Sequence, residues 1–286
     1  MDLHGHGNSE SLPQDELYEG AVGVDGAVQL VASLPYVDTS RIGITGHSSG
    51  GTAANMAVTI DNEREQPLIA ALLHQAADWQ DDTGGDHSGE YGSRSVGMIA
   101  SEYDDFYFGT YDEEGNMITT PREFMETDNA KKFLNFNDDV STFEGEAQAG
   151  QFYERTIDGK EAYRIIYRPT CIHPAVTFST ECVGYAVDFF EQVFGAPNPL
   201  PASNQIWPWK TVFNALGLVG IFMFLASFPI CMLDTGFFGS LKAKTQVKAA
   251  QVKDKAGIVW FFGLLAVSMI FSAVCYVFIM RHLYSV

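Results

Sequence analysis

Two stretches of 23 residues, 211–233 and 258–280, run without one charged side chain, and no other feature limits the architecture as tightly. Each makes about 35 Å of helix against a hydrocarbon core of about 30 Å, so both are predicted to cross a bilayer. Trp207, Trp209 and Lys210 precede the first run, and Arg281 and Tyr284 follow the second, where interfacial anchors belong. Buried core helices are the competing expectation. Helices apolar on every side would need a protein shell that little of the remaining chain supplies.

Charge divides the chain at the same place. Residues 1–209 hold 10 Lys and Arg against 34 Asp and Glu, whereas 210–286 hold 7 against 2. A field that negative repels phosphate backbones and argues against nucleic acid as a partner. Between the two runs, 234–256 carries Lys242, Lys244, Lys248, Lys253 and Lys255 against Asp234 and Asp254. The positive-inside bias puts this loop in the cytoplasm and the acidic part outside. Pro229 is predicted to kink the first span. No ionisable side chain interrupts either run, so the pair is expected to anchor rather than conduct.

The segment before the spans alternates strand and helix patterns. Val24, Ala27, Val28, Val31 and Leu34 recur at helical spacing within 18–35. "RIGITG" (41–46), "LIAALLH" (68–74) and "SVGMIAS" (95–101) are short apolar runs suited to strands covered on both faces, with the helix "GGTAANMAVTI" between the first two. That alternation predicts an α/β fold with a parallel sheet. Residues 106–168 interrupt it and are expected to be an insertion. Within it Thr120, Pro121 and Glu123 form a capping box that starts a helix, and Asp158-Gly159 sits between two strand-like runs as a hairpin turn. A final helix places Val183, Ala186, Val187, Phe190 and Phe194 on one face. The boundaries that follow are 1–197 for the acidic domain, 198–210 for a proline-containing linker, 211–233 and 257–280 for the spans, and 234–256 for the basic loop.

Chemistry concentrates in "GHSSG", 46–50. An apolar strand before it and a small-residue helix after it supply the context of a nucleophile elbow, with Ser48 at the bend. Gly46 and Gly50 are expected to make room for that bend, and the N–H of Ser49 to donate to an oxyanion. An ordinary turn serine is the plain alternative. A serine nucleophile needs a base and the base an orienting carboxylate, here in the order serine, acid, histidine. Asp104, after the strand "VGMIA", is the expected acid. Asp105, Glu102 and Asp78 are rivals, since any single acid in so acidic a domain can be solvated surface. His173 is the only histidine between that acid and the spans, and so the expected general base. His4, His6, His47, His74 and His87 have duller expectations as loop, strand-end or pocket-lining residues. Cys171, Cys182, Cys231 and Cys275 have no zinc spacing, and neither a metal nor an organic cofactor is expected. Cys171 and Cys182 can bridge only if their backbones approach within about 7 Å.

These segments resemble the α/β-hydrolase family, and within it bacterial membrane-linked members similar to dienelactone hydrolases and esterases. "DLHGHGNSE" resembles the loop after the family's fourth strand, "VDTSRIGITGHSSGG" its fifth strand and elbow, "SEYDD" its acid loop, and "IHPAVTFS" its histidine loop. The resemblance covers about 1–197 and implies an acyl-enzyme mechanism on a small ester, thioester or amide, without cofactor, at the bacterial plasma membrane. Some four strands and a helix precede the first of these segments in the family, together with a second oxyanion N–H. Their absence predicts a fragment of a longer protein or a misassigned start, an elbow strand with a bare edge, an export signal further upstream, and little activity in the chain by itself. Two rivals stay open: a non-catalytic tethered binding domain on the same scaffold, and an acyltransferase or peptidase with the same triad.

Overall fold

A computed structural model describes residues 1–80, 86–112, 114–243, 245 and 254–283. They form two compact units, 1–205 and 206–286.

The first unit opens with the single turn α1 (Gln14–Leu17) and α2 (Val24–Ala32). The helix expected over 18–35 is shortened at its start, where Val22 and Gly23 take positive φ of 56° and 97° and break the helical run. Next come β1 (Ile42–His47), α3 (Ser49–Asn62), β2 (Ile69–Gln75) and β3 (Ser95–Ile99). A small antiparallel ribbon of β4 (Thr110–Tyr111) and β5 (Met117–Thr119) follows, then α4 (Asp128–Leu134), β6 (Tyr153–Ile157), β7 (Lys160–Tyr167) and α5 (Thr180–Phe194).

The main sheet runs β1-β2-β3-β7-β6. Its first four strands are parallel, and β6 closes the far edge antiparallel to β7. Alternate side chains leave a strand on opposite faces, and the two cores record that period. Leu72, Val96, Met98 and Ile166 pack on one face with Ala54, Ala57 and Val58 of α3. Ala71, Leu73, Ile99 and Ile165 pack on the other with Cys182 and Phe189 of α5. Among the described residues β1 is paired on one side only.

Two expectations for 106–168 need revision. Strand β7 is the fourth parallel strand of the sheet, so the hairpin turned by Asp158 (φ 51°) and Gly159 (φ 75°) feeds the scaffold itself. The capping box at Thr120 forms, but it heads a 3₁₀ segment, Pro121–Glu126, rather than a continuous helix. Thr127 then starts afresh: its side chain accepts the Ala130 N–H at 3.2 Å and caps α4. Two competing caps seven residues apart divide what periodicity alone joins.

A buried ion network ties α3 to the sheet. Asp61, fully buried, accepts Arg94 at 2.8 Å, Arg64 at 2.7 Å, and the N–H groups of Leu68 and Ile69 at 2.9 and 3.0 Å. Although burial alone pushes the other way, these donors together hold its carboxyl below the usual carboxylate range. Arg64 reaches on to Asp25 of α2 at 2.6 Å.

Among its described residues the second unit holds α6 (Trp207–Leu233), a 3₁₀ turn at Gly239–Leu241 and α7 (Lys255–Leu283). Both long helices are apolar enough to cross a membrane by length and composition, with mean hydropathy of 2.3 and 2.4 over their candidate spans. Pro208 starts α6, as a missing N–H costs nothing in a first turn. The helix continues through Pro229.

Candidate active site

The site begins with a backbone that L-residues avoid. Ser48, between β1 and α3, has φ 56° and ψ −125°. Such a conformation costs about 1–3 kcal/mol and persists only where the surroundings impose it. Its N–H donates to the Gln75 carbonyl at 3.0 Å, and its carbonyl accepts the Gly51 N–H at 2.7 Å. A Cβ on Gly46 would lie 2.0 Å from the Gly50 carbonyl oxygen, and one on Gly51 would lie 2.3 Å from the Ala77 Cβ. At Gly50 a Cβ would meet nothing within 4 Å. The bend therefore requires Gly46 and Gly51, not the expected Gly46 and Gly50. Ser49 is the first residue of α3, where backbone N–H groups have no carbonyl above them in the helix.

The acid and the imidazole come from two loops at the carboxyl ends of β3 and β7. Asp104 is fully buried, and its Oδ2 accepts the Nδ1–H of His173 at 2.8 Å. Its other oxygen accepts the Phe106 N–H at 3.2 Å. A carboxylate only accepts, so this contact places the neutral imidazole's proton on Nδ1 and leaves Nε2 as a base. Arg168, at the end of β7, donates to the Ala100 carbonyl at 2.7 Å and to the Pro121 carbonyl, which joins the two loops.

Aromatic rings surround His173. Tyr107 stacks on it with centroids 5.8 Å apart and planes 12° apart, and Phe106 lies at 5.0 Å. His47, the residue before Ser48, packs its ring 4.9 Å away, and its Nε2 lies 3.0 Å from the His173 carbonyl oxygen. That contact sets the histidine loop against the elbow. His47 reads in the sequence only as a variable position of the pentapeptide. Nothing local marks it, because its partner lies 126 residues away.

The rival acids lie elsewhere. Asp105 is exposed, and Glu102 accepts the Thr170 hydroxyl at 3.1 Å. Asp78 is buried against the insertion, where it accepts the Asn129 amide and the Trp79 N–H, both at 2.7 Å; burial pushes its pKa up to about 7. Of the other histidines, His74 is buried with Nε2 3.1 Å from the Tyr91 hydroxyl. Burial lowers its pKa to about 3, so it is neutral. His4 and His6 contact backbone carbonyls of their own loop, and His87 lies 3.1 Å from Glu90. Beside Ser48 a groove of about 590 Å³ runs along the edge of β1 that is unpaired among the described residues, lined by Leu3, Val28, Ile44 and His47 among others. Among the described residues no three His, Cys, Asp or Glu side chains are grouped to hold a metal.

A mostly parallel sheet covered by helices, with a strained serine where its first strand enters a helix, fits a partial α/β fold. The family comparison agrees at that level: the model of the prolyl oligopeptidase family (peptidase S9) matches residues 24–71, from α2 through the elbow into β2, and places the chain in the α/β-hydrolase superfamily. The match suggests a serine-hydrolase type of activity. A search of curated proteins gives no match.

Proposed function

We propose that the chain is a membrane-anchored serine hydrolase with Ser48 as nucleophile, His173 as general base and Asp104 as the acid that orients it. The Asp104–His173 pair at 2.8 Å, held against the elbow by His47, is the observation that carries this reading. Nε2 of His173 takes the Ser48 proton as Oγ attacks a carbonyl carbon. The oxyanion so formed faces the N-terminus of α3, where the Ser49 N–H stabilises it. The imidazolium, stabilised by Asp104, then returns its proton to the leaving group. An acyl-enzyme remains, and water, deprotonated by the same nitrogen, releases the acid. No step requires a metal or an organic cofactor.

The substrate is an ester, thioester or amide. A peptide bond is the second reading, favoured by the match to a peptidase family. The charge distribution supports anchoring by α6 and α7, with the basic loop in the cytoplasm and the acidic unit on the outer face.

The test compares hydrolysis of p-nitrophenyl acetate with that of short peptide p-nitroanilides by the full chain in detergent. Ser48→Ala and His173→Ala should each lower kcat by about 10⁴-fold or more. Wild-type rates in Ser48→Ala would reject the mechanism, and preference between the two substrates separates esterase from peptidase. Protease added to intact cells should digest 1–205 and spare the helices; protection of 1–205 would reverse the orientation.

A further inference from the structure

Two thiols lie side by side where the turn that carries His173 meets α5. Cys171 stands two residues before that histidine, and Cys182 is the third residue of α5. Their Sγ atoms are 3.9 Å apart, in contact with nothing between them. Bond formation at about 2.05 Å therefore needs the sulfurs to close by about 2 Å, within reach of side-chain rotation and a small shift of an irregular loop. The other two cysteines, Cys231 and Cys275, lie in α6 and α7.

We propose that Cys171 and Cys182 are a redox-active pair that closes to a disulfide by exchange with a low-molecular-weight disulfide, stapling the His173 turn to the start of α5. The two thiols are unequal in a way that sets the order of events. Cys171 is partly exposed, and the buried Ser101 hydroxyl lies 3.4 Å from its sulfur, able to donate to a thiolate there. Cys182 is buried, and burial pushes its thiol well above the ordinary range. Cys171 is thus the attacking thiol. Its thiolate bonds to one sulfur of the external disulfide, whose S–S bond breaks and releases one thiolate. Cys182 then loses its proton and attacks the Cys171 sulfur, expelling the second thiolate. Two electrons pass from the pair to the external disulfide, and the two protons end on the two thiols released.

Closure constrains a ring of about 12 residues and removes freedom mainly from the unfolded chain. For a unit of this size the unfolding midpoint should rise by about 5–10 °C on oxidation.

The test uses the full chain in detergent, reduced, freed of reductant, then equilibrated with oxidised glutathione and quenched with N-ethylmaleimide. Peptide mapping should show a Cys171–Cys182 cross-link two hydrogens lighter than the separate peptides, with the higher midpoint. Cys182→Ser should stop at a glutathione adduct on Cys171, and Cys171→Ser should leave Cys182 unmodified. Recovery of both cysteines as maleimide adducts in the wild type would overturn the proposal, as would a stable glutathione adduct on Cys171 with Cys182 intact. An adduct on Cys182 in Cys171→Ser would overturn the assigned order.

Discussion

Asp104→Asn is the substitution whose effect follows most directly from the geometry. The two carboxylate oxygens have different partners: Oδ1 accepts the Phe106 N–H at 3.2 Å and Oδ2 accepts His173 Nδ1–H at 2.8 Å. An asparagine of the same shape has one acceptor and one donor. If its oxygen stays on the Phe106 N–H, the amide NH₂ takes the place of Oδ2 and donates to Nδ1. The imidazole must then carry its proton on Nε2, the nitrogen required to accept the serine proton. If the amide flips instead, the tautomer is kept, but the Phe106 N–H meets a donor and the charge that stabilises the imidazolium is still gone. The first arrangement satisfies both contacts and should prevail. By the general behaviour of such triads the wrong tautomer costs about 10⁴ in kcat, or roughly 5 kcal/mol of transition-state stabilisation. Packing is conserved, so unfolding should shift little. The assay is steady-state hydrolysis of an activated ester beside a thermal melt, with Asp105→Asn and Asp78→Asn as comparisons expected to retain kcat within about twofold. A loss under tenfold in Asp104→Asn, or an equal loss in Asp105→Asn, would remove Asp104 from the proposed triad.

Two further predictions concern the scaffold. Gly46→Ala drives a methyl to 2.0 Å from a backbone oxygen and should cost at least about 3 kcal/mol along with activity, whereas Gly50→Ala, with open space at that position, should shift stability by less than about 1 kcal/mol; chemical denaturation of both variants decides. Asp61→Asn leaves Arg94 buried without its carboxylate and should cost about 3–5 kcal/mol. Because the folded pKa of Asp61 is lowered, its contribution is present above the unfolded value near 3.9 and lost as pH falls through the lower folded value. The wild-type and Asp61→Asn melting curves should therefore stay apart down to about pH 4 and converge only as pH falls further, and a gap independent of pH would contradict the assignment.

What could be read along the chain was local. The elbow, the three apolar strands and the Asp158-Gly159 hairpin are each written within about ten residues, so pattern and turn chemistry suffice to place them. Asp104 and His173 were favoured by their positions after a strand and before the last helix, and the fold sets them 2.8 Å apart. Contacts distant in sequence left no such mark. Strand β7 looks like half of an isolated hairpin until β3, some 65 residues earlier, is seen beside it. Gly51 outranks Gly50 because of Ala77, a residue on another strand's loop, and the Asp25–Arg64–Asp61–Arg94 network joins charges that each resemble solvated surface. The helix expected from Thr120 failed because Thr127 offers a second cap that the apolar period does not register.

The proposed mechanism requires the Ser48 hydroxyl, at the strained bend, to act as a nucleophile that gives its proton to His173. Labelling the full chain with a fluorophosphonate, followed by mass spectrometric mapping of the modified residue, tests it most directly. The adduct should map to Ser48 and should vanish in Ser48→Ala and fall sharply in His173→Ala. An adduct mapped to any other residue, or undiminished labelling of Ser48→Ala, would contradict the account.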